Sequence, residues 1–199
     1  GEIYEKIAEY NSRSPESRDK MYVTNELMLY TYKTKLLAEN IDDERYYKKL
    51  EKLVFASDFT ADSDLDGMPD LWRYSNSKAG YIKSDITPEA AKITNEGEGT
   101  SYLYTRKDFS LKPNTKYKVK LVAGGDMPED KIRFYVFSRE GERTQFQWKK
   151  IKLTPGLSEL TASFTTTDDI VEGKQWLRMN ISAAKENYIQ LKAIEIWEE

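Results

Sequence analysis

The chain contains no cysteine and no histidine. Disulfides, thiolate nucleophiles, cysteine-based zinc sites and every Ser-His-Asp arrangement are therefore excluded. Any catalysis would rest on carboxylates, Lys, Tyr or Arg. The lack of cysteine fits the cytosol and the cell exterior equally. No stretch approaches the ~20 apolar residues that span a bilayer. A dominant charge sign is missing too: 31 Lys and Arg stand against 34 Asp and Glu, a net charge of −3. No domain-wide basic field follows, which argues against nucleic acid as a partner. The opening residues, Gly1-Glu2-Ile3, hold neither an initiator Met nor a signal peptide. They predict an excised segment whose targeting sequence has been removed. What is abundant is aromatic residues, 13% of 199, which supply bulky core material in a chain that is otherwise 33% charged. That length suits one domain, or a small element plus one domain.

Two regions differ in period. Residues 1–52 read as helical. Ile3, Ile7 and Tyr10 recur at helical spacing, as do Met21, Leu27, Leu29-Tyr30 and Leu36-Leu37. Ser14-Pro15-Glu16 has the chemistry of a helix start, which predicts a helix from about Pro15 to Glu39. Asn40 or Asp42 is then expected to cap a short third helix through Tyr46, Tyr47 and Leu50. This region is either a helical hairpin packed on itself or its neighbour, or the tail of a larger helical unit.

From Leu53 the period becomes two. Alternating runs cover 101–106, 116–121, 131–137, 145–149, 160–164, 176–181 and 189–197, separated by Gly, Pro and Asn turn signals. Many short strands without intervening helices predict a mainly β domain over residues 53–199, an antiparallel sandwich.

Asp62-Ser63-Asp64-Leu65-Asp66-Gly67-Met68-Pro69-Asp70 is the strongest local signal. Ca²⁺ takes six to eight oxygens at ~2.3–2.6 Å, and carboxylates on alternate residues converge on one ion if the backbone wraps around it. Asp62, Asp64, Asp66, the Met68 carbonyl and Asp70 are the expected ligands, with Gly67 permitting the sharp turn. One departure is that the twelfth position, a bidentate Glu in an EF-hand, is Arg73. The last ligand must then come from elsewhere, or affinity is weak. The competing reading is an Asp-rich turn held by side chain–backbone hydrogen bonds. Mutual repulsion of the clustered carboxylates favours the cation, in a structural role.

Asp58-Phe59 followed by Asp66-Gly67-Met68-Pro69-Asp70-Leu71-Trp72 resembles the opening of many secreted bacterial β-sandwich modules. The loop itself is similar to the aspartate repeats of thrombospondin type-3 and dockerin segments. The run Asp108-Phe109-Ser110-Leu111-Lys112-Pro113-Asn114-Thr115-Lys116-Tyr117-Lys118-Val119 resembles a phrase that recurs in jelly-roll carbohydrate-binding modules of the family 4, 9 and 22 kind. Ser163-Phe164-Thr165-Thr166 and residues 191–196 resemble their later strands, and galactose-binding-like sandwiches share much of this pattern. The resemblance implies a jelly roll, a structural calcium near the first and last strands, and a glycan on a concave face or at loop tips. It implies a secreted or cell-surface bacterial setting, and says nothing of residues 1–52.

Sugar recognition needs aromatic faces and planar polar groups. Sorting residues by strand alternation leaves Trp176, Arg178 and Asn180 opposite an apolar face of Leu177, Met179 and Ile181. Arg133, Tyr135 and Phe137 point away from the core, as do Gln145, Gln147 and Lys149, with Phe146 and Trp148 turned inward. Tyr102, Tyr104 and Arg106 form a further aromatic-plus-Arg face. Of these outward residues, Tyr102, Tyr104, Arg133, Tyr135, Gln145, Gln147, Trp176, Arg178 and Asn180 are the candidate carbohydrate-binding set. Trp72 and Trp197 are assigned to packing.

A glycosidase needs two carboxylates flanking the bond. Glu195 is the only acid inside a late alternating strand, and it has no evident partner. The expectation is therefore a noncatalytic, calcium-stabilised carbohydrate-binding module whose partner is a polysaccharide or glycan. The alternatives are a structural or protein-interaction module of an extracellular multidomain protein, with residues 1–52 contacting other domains of the parent, and a small polysaccharide-active enzyme.

Overall fold

The computed structural model describes residues 2–13, 16, 19–76 and 81–199. Three helices, α1 (Glu2–Ser12), α2 (Asn25–Glu39) and α3 (Tyr46–Leu50), precede eleven strands. These are β1 (Leu53–Asp58), β2 (Trp72–Asn76), β3 (Ile82–Ile86), β4 (Ala91–Asn95), β5 (Ser101–Thr105), β6 (Lys116–Gly125), β7 (Ile132–Ser138), β8 (Thr144–Trp148), β9 (Ser158–Thr165), β10 (Gln175–Ile181) and β11 (Ile189–Glu198). The fold is a mainly β, antiparallel jelly-roll sandwich preceded by a short helical segment.

One sheet is six-stranded, in the order β3-β4-β11-β6-β9, with β1 sharing the β4 side of β11. The other is five-stranded, β2-β5-β10-β7-β8. The chain passes repeatedly from one sheet to the other, so successive strands present apolar residues to one shared interior. Phe55, Val119, Leu121, Ile194 and Ile196 face Trp72, Leu103, Phe134, Val136, Leu177 and Met179 across the core, all nearly solvent-free. Trp72 stacks on Phe59 at 5.2 Å and donates its indole N–H to Ser57 Oγ.

The Pro-Asn-Thr-x-Tyr segment has a local physical basis. Asn114 takes a left-handed φ of 49°. Buried Tyr117 accepts the Lys112 N–H through its hydroxyl at 2.9 Å, and Thr166 Oγ1 ties the same turn to the end of β9. Backbone groups left unpaired by the turn are thereby satisfied.

The helical region differs from expectation at two caps. Ser14 and Pro15 lie outside the described residues, but 20–24 are not helical, Thr24 is extended, and α2 begins at Asn25. Thr24 is its cap, accepting the Leu27 N–H at 3.1 Å. Neither Asn40 nor Asp42 caps α3. Asn40 closes α2 by donating to the Leu36 carbonyl, and Asp43 receives the Arg45 N–H ahead of α3.

The helices lie against the six-stranded sheet. Tyr32, Leu29 and Leu36 of α2 pack on Leu53, Ala56, Ala193 and Trp197. Beneath them Glu195 is 3% exposed and fully engaged. It accepts the Tyr32 hydroxyl at 2.6 Å and the Trp197 indole N–H at 2.9 Å, and lies 3.7 Å from Lys120 Nζ. Its partners thus arrive from the helix and from its own sheet, which makes it an anchor for α2. Hydrogen bonds to a charged group contribute about 1.5–3 kcal/mol. Tyr32→Phe is expected to lower stability by that amount in chemical denaturation, while leaving ligand binding unchanged. A loss of under about 0.5 kcal/mol would contradict the anchor.

Candidate functional site

With α2 on the six-stranded sheet, the outer face of the five-stranded sheet carries no helix among the described residues. Alternation places one residue of every pair on that face, and the register aligns them in cross-strand rows. One row reads Arg73, Tyr104, Arg178, Tyr135, Gln147. At ~4.8 Å per strand it extends ~19 Å, the scale of an oligosaccharide. The next row reads Ser75, Tyr102, Asn180, Arg133. A third pairs Phe137 with Trp176.

Eight of the nine candidate residues therefore share this face. Tyr135 and Phe137 stack at 5.0 Å, and Phe137 meets Trp176 at 4.8 Å. Arg178 lies over three rings, 4.6 Å from Tyr102, 4.7 Å from Phe137 and 5.2 Å from Tyr135. Gln147 donates to the Tyr135 hydroxyl at 2.9 Å. Two side-chain atoms at the centre, Arg178 Nε and Asn180 Oδ1, are buried with no hydrogen-bond partner. Burial among the rings pulls the Arg178 guanidinium below its usual value, with Arg143 adding repulsion.

Gln145 is the exception. A register shift between Val136 and Phe137 puts an extra residue on β8 and removes Gln145 from the outward row. It is buried instead, where its amide donates to the Glu142 carbonyl and accepts the Thr167 N–H. Sequence reasoning missed four face residues. Arg73 was absorbed into the loop reading, although alternation with buried Trp72 turns it outward. Phe137 was sorted to this face but not to the site. Arg139 and Arg143 flank the β7–β8 turn and reach over Trp176 and Phe137, at 5.3 and 5.4 Å. Gly141 at that turn has φ +78°, and a Cβ there would come within 2.4 Å of the Asp169 carbonyl oxygen. No side chain fits without shifting the turn that carries both arginines.

The Asp loop sits at the β2–β5 end of the same sheet. Gly67 takes φ 85°, and Leu65 and Leu71 take φ 60° and 75°, left-handed values rare for leucine. Asp62 accepts the N–H groups of Asp66 and Gly67, and Asp66 that of Met68. Asp70 accepts the N–H and hydroxyl of Ser63 at 2.8 Å each. Carboxylate oxygens of Asp62, Asp64 and Asp70 lie within 4.8 Å of one another. Asp66 is drawn aside: Arg106, stacked on Tyr22 at 4.2 Å, bridges Asp66 and Asp64 at 2.9 and 2.6 Å. Met68 buries its side chain in the core. Asp64 Oδ1 is buried and has no partner. The loop is buttressed from α1, where Asn11 donates to the Ser63 carbonyl.

Burial pushes the Asp64 carboxyl up to about 7 and the Asp70 carboxyl up to about 6, and neighbouring aspartates add to both shifts. A carboxyl that holds its proton more tightly folded than unfolded favours the native state at low pH. Metal-free protein is therefore expected to lose stability as pH rises from about 4 to about 7. Asp64→Asn should flatten that slope in chelated buffer; an unchanged slope would contradict the shift.

A cavity between α1 and this loop is lined by Tyr4, Met28, Asp58, Asp62, Ser63 and Asp70. None of its lining residues belongs to the row of Arg178, and its carboxylates suit a cation better than a sugar.

Comparison with family models found no match, nor did comparison with curated proteins. Solved structures do match. The apo CBM1 of BiXyn10A superposes with a TM-score of 0.51 at 16% identity, covering 74% of this chain and 99% of that one. A CBM4 structure gives 0.52 at 12% identity, over 67% and 99%. The CBM22-1–GH10 modules of Clostridium thermocellum endo-1,4-β-D-xylanase 10B, complexed with xylohexaose, give 0.50 at 13% identity, over 74% of this chain and 28% of that one. At these identities the likeness is one of fold: the chain is built as the β-sandwich of carbohydrate-binding modules is built.

Proposed function

We propose that the chain is a noncatalytic carbohydrate-binding module acting at the cell surface or outside the cell, with the outer face of the five-stranded sheet as its binding platform. The observation that carries this reading is the pair of unpartnered buried atoms, Arg178 Nε and Asn180 Oδ1, set among Tyr102, Tyr135, Phe137 and Trp176. Buried polar atoms without partners are costly. Sugar hydroxyls both donate and accept, so a bound glycan can supply both, after Arg178 turns to expose Nε. Tyr104, and Trp176 where Arg139 moves aside, offer partly exposed rings for sugar C–H groups to pack on. The likeness to carbohydrate-binding modules is consistent with this. A catalytic reading finds no support at Glu195, which is engaged under α2.

Ca²⁺ is the second part of the proposal. The donor set fits a hard cation: Asp62, Asp64 and Asp70 converge, and the orphaned Asp64 oxygen is an open ligand position. The ion would hold the loop against α1 and β2 and supply no chemistry. The experiment is affinity electrophoresis on immobilised polysaccharides, neutral and acidic. Retardation by at least one gel, reduced in Arg178→Ala and Asn180→Ala, is expected. No retardation by any gel would defeat the platform.

A further inference from the structure

The rings of the platform lie beneath a layer of guanidinium groups. Arg178 covers Tyr102, Tyr135 and Phe137; Arg143 covers Phe137; Arg139 covers Trp176. Arg73 and Arg133, both exposed, occupy the outward rows on either side. No outward strand position of this sheet carries Asp or Glu: beside Arg73, Arg133 and Arg178 these positions hold aromatic, Ser, Thr, Asn and Gln residues. Among the described residues Arg139 has a carboxylate partner, Asp108 at 2.7 Å, whereas Arg73, Arg133, Arg143 and Arg178 form no ion pair. This concentration of positive charge stands on a chain whose net charge is −3. A neutral glycan can use these guanidiniums as hydrogen-bond donors but gains nothing from their charge. Glu140 and Glu142 in the β7–β8 turn, and Asp64 and Asp66 near Arg73, offset that charge without forming an ion pair to Arg73, Arg133, Arg143 or Arg178.

Resting on the carbohydrate reading above, we infer that the ligand is an anionic glycan, bearing carboxylates or sulfates that pair with Arg73, Arg133, Arg143 and Arg178 while its rings lie along the row from Tyr104 to Tyr135. Guanidinium forks match both anions in two-point geometry, which lysine does not. Arg178 is the central contact. The burial that disfavours its charge in the free protein makes an anion there more valuable, because the field is less screened.

The test is calorimetric titration with polygalacturonate, its carboxyl-reduced neutral counterpart, chondroitin sulfate, xylan and a single-stranded oligonucleotide. Polygalacturonate or chondroitin sulfate should bind at least about tenfold tighter than either neutral polymer. Binding should weaken as NaCl rises from about 50 to about 500 mM. The exposed pair Arg73→Gln/Arg133→Gln, which does not threaten the core, should lose about tenfold, as should Arg178→Gln if its melting curve stays cooperative. Preference between the two acidic polymers identifies the anion. Xylan bound as tightly as the acids, insensitive to salt yet lost in Trp176→Ala, would overturn the anionic inference and keep the platform. Absence of binding to every glycan would overturn both. Tighter binding of the oligonucleotide than of any glycan would replace the ligand class.

Discussion

Trp176→Ala is expected to weaken glycan binding by about 30-fold or more, the ~2 kcal/mol that marks a dominant contact residue. Trp176 is on the outward side of β10, 4.8 Å from Phe137 and under Arg139. Truncation removes the largest ring of the platform. It also uncovers Phe137, now 4% exposed, and leaves Arg139 held by Asp108 alone. Leu177, Met179 and Ile181 hold β10 to the core from the other side and are untouched. The melting transition should stay cooperative while affinity collapses. A conservative Trp176→Phe should restore most of the loss, since a ring is what the contact requires. Unchanged affinity in Trp176→Ala, measured by calorimetry, would remove Trp176 from the site.

Calcium removal is expected to lower the melting temperature by about 5–10 °C. A ligand present at one hundred times its dissociation constant stabilises by about 2.7 kcal/mol, and a domain of this size loses about 2–4 °C per kcal/mol. The mechanism is electrostatic. Asp62, Asp64, Asp66 and Asp70 confront a single guanidinium, that of Arg106. With chelator, Asp64 and Asp70 relieve the excess by holding protons. If Ca²⁺ binds as proposed they would ionise and ligate, releasing those protons, so affinity should increase as pH rises toward 8. Asp62→Ala should abolish the calcium response and, by loosening Gly67, weaken the contact that Asn11 makes to the Ser63 carbonyl. A melting temperature indifferent to chelator would leave the loop balanced by Arg106, with Lys20 and Arg73 beside the same pocket, and contradict the calcium site.

The strands that alternate over five or more residues were legible. Leu177, Met179 and Ile181 against Trp176, Arg178 and Asn180 is a pattern only a half-buried strand satisfies, and β10 bears it in both faces. β3 and β4 were not, because both span five residues, Ile82–Ile86 is polar at its three central positions, and Ala91–Asn95 offers Ile93 as its one bulky apolar residue. β2 was hidden by its neighbour: reading the Asp loop as a twelve-residue unit consumed Arg73. Gln145 failed for a different reason. A β-bulge is a property of two paired strands, and nothing in Thr144-Gln145-Phe146 announces that Val136 and Phe137 will skip a partner. The start of α2 shows competition between signals, since Thr24 caps the helix that Pro15 was expected to open.

The site was legible by residue type and not by contact. Alternation turned Tyr102, Arg133 and Arg178 outward, but only the strand order brings them into neighbouring rows. Arg106 meets Asp64 across 42 positions of chain, and Tyr32 meets Glu195 across 163. Long-range pairs of this kind are set by topology, so Glu195 looked unpartnered until α2 was laid over it.

The most direct measurement is a backbone amide chemical-shift titration with the best-bound oligosaccharide. Shifts concentrated on β5, β7, β8 and β10, largest near Trp176, Arg178 and Asn180, are expected. Shifts confined to α2, the outer face of β6 and β11, or the cavity beside Asp62 and Asp70 would place binding on another surface and contradict the assignment of the five-stranded face.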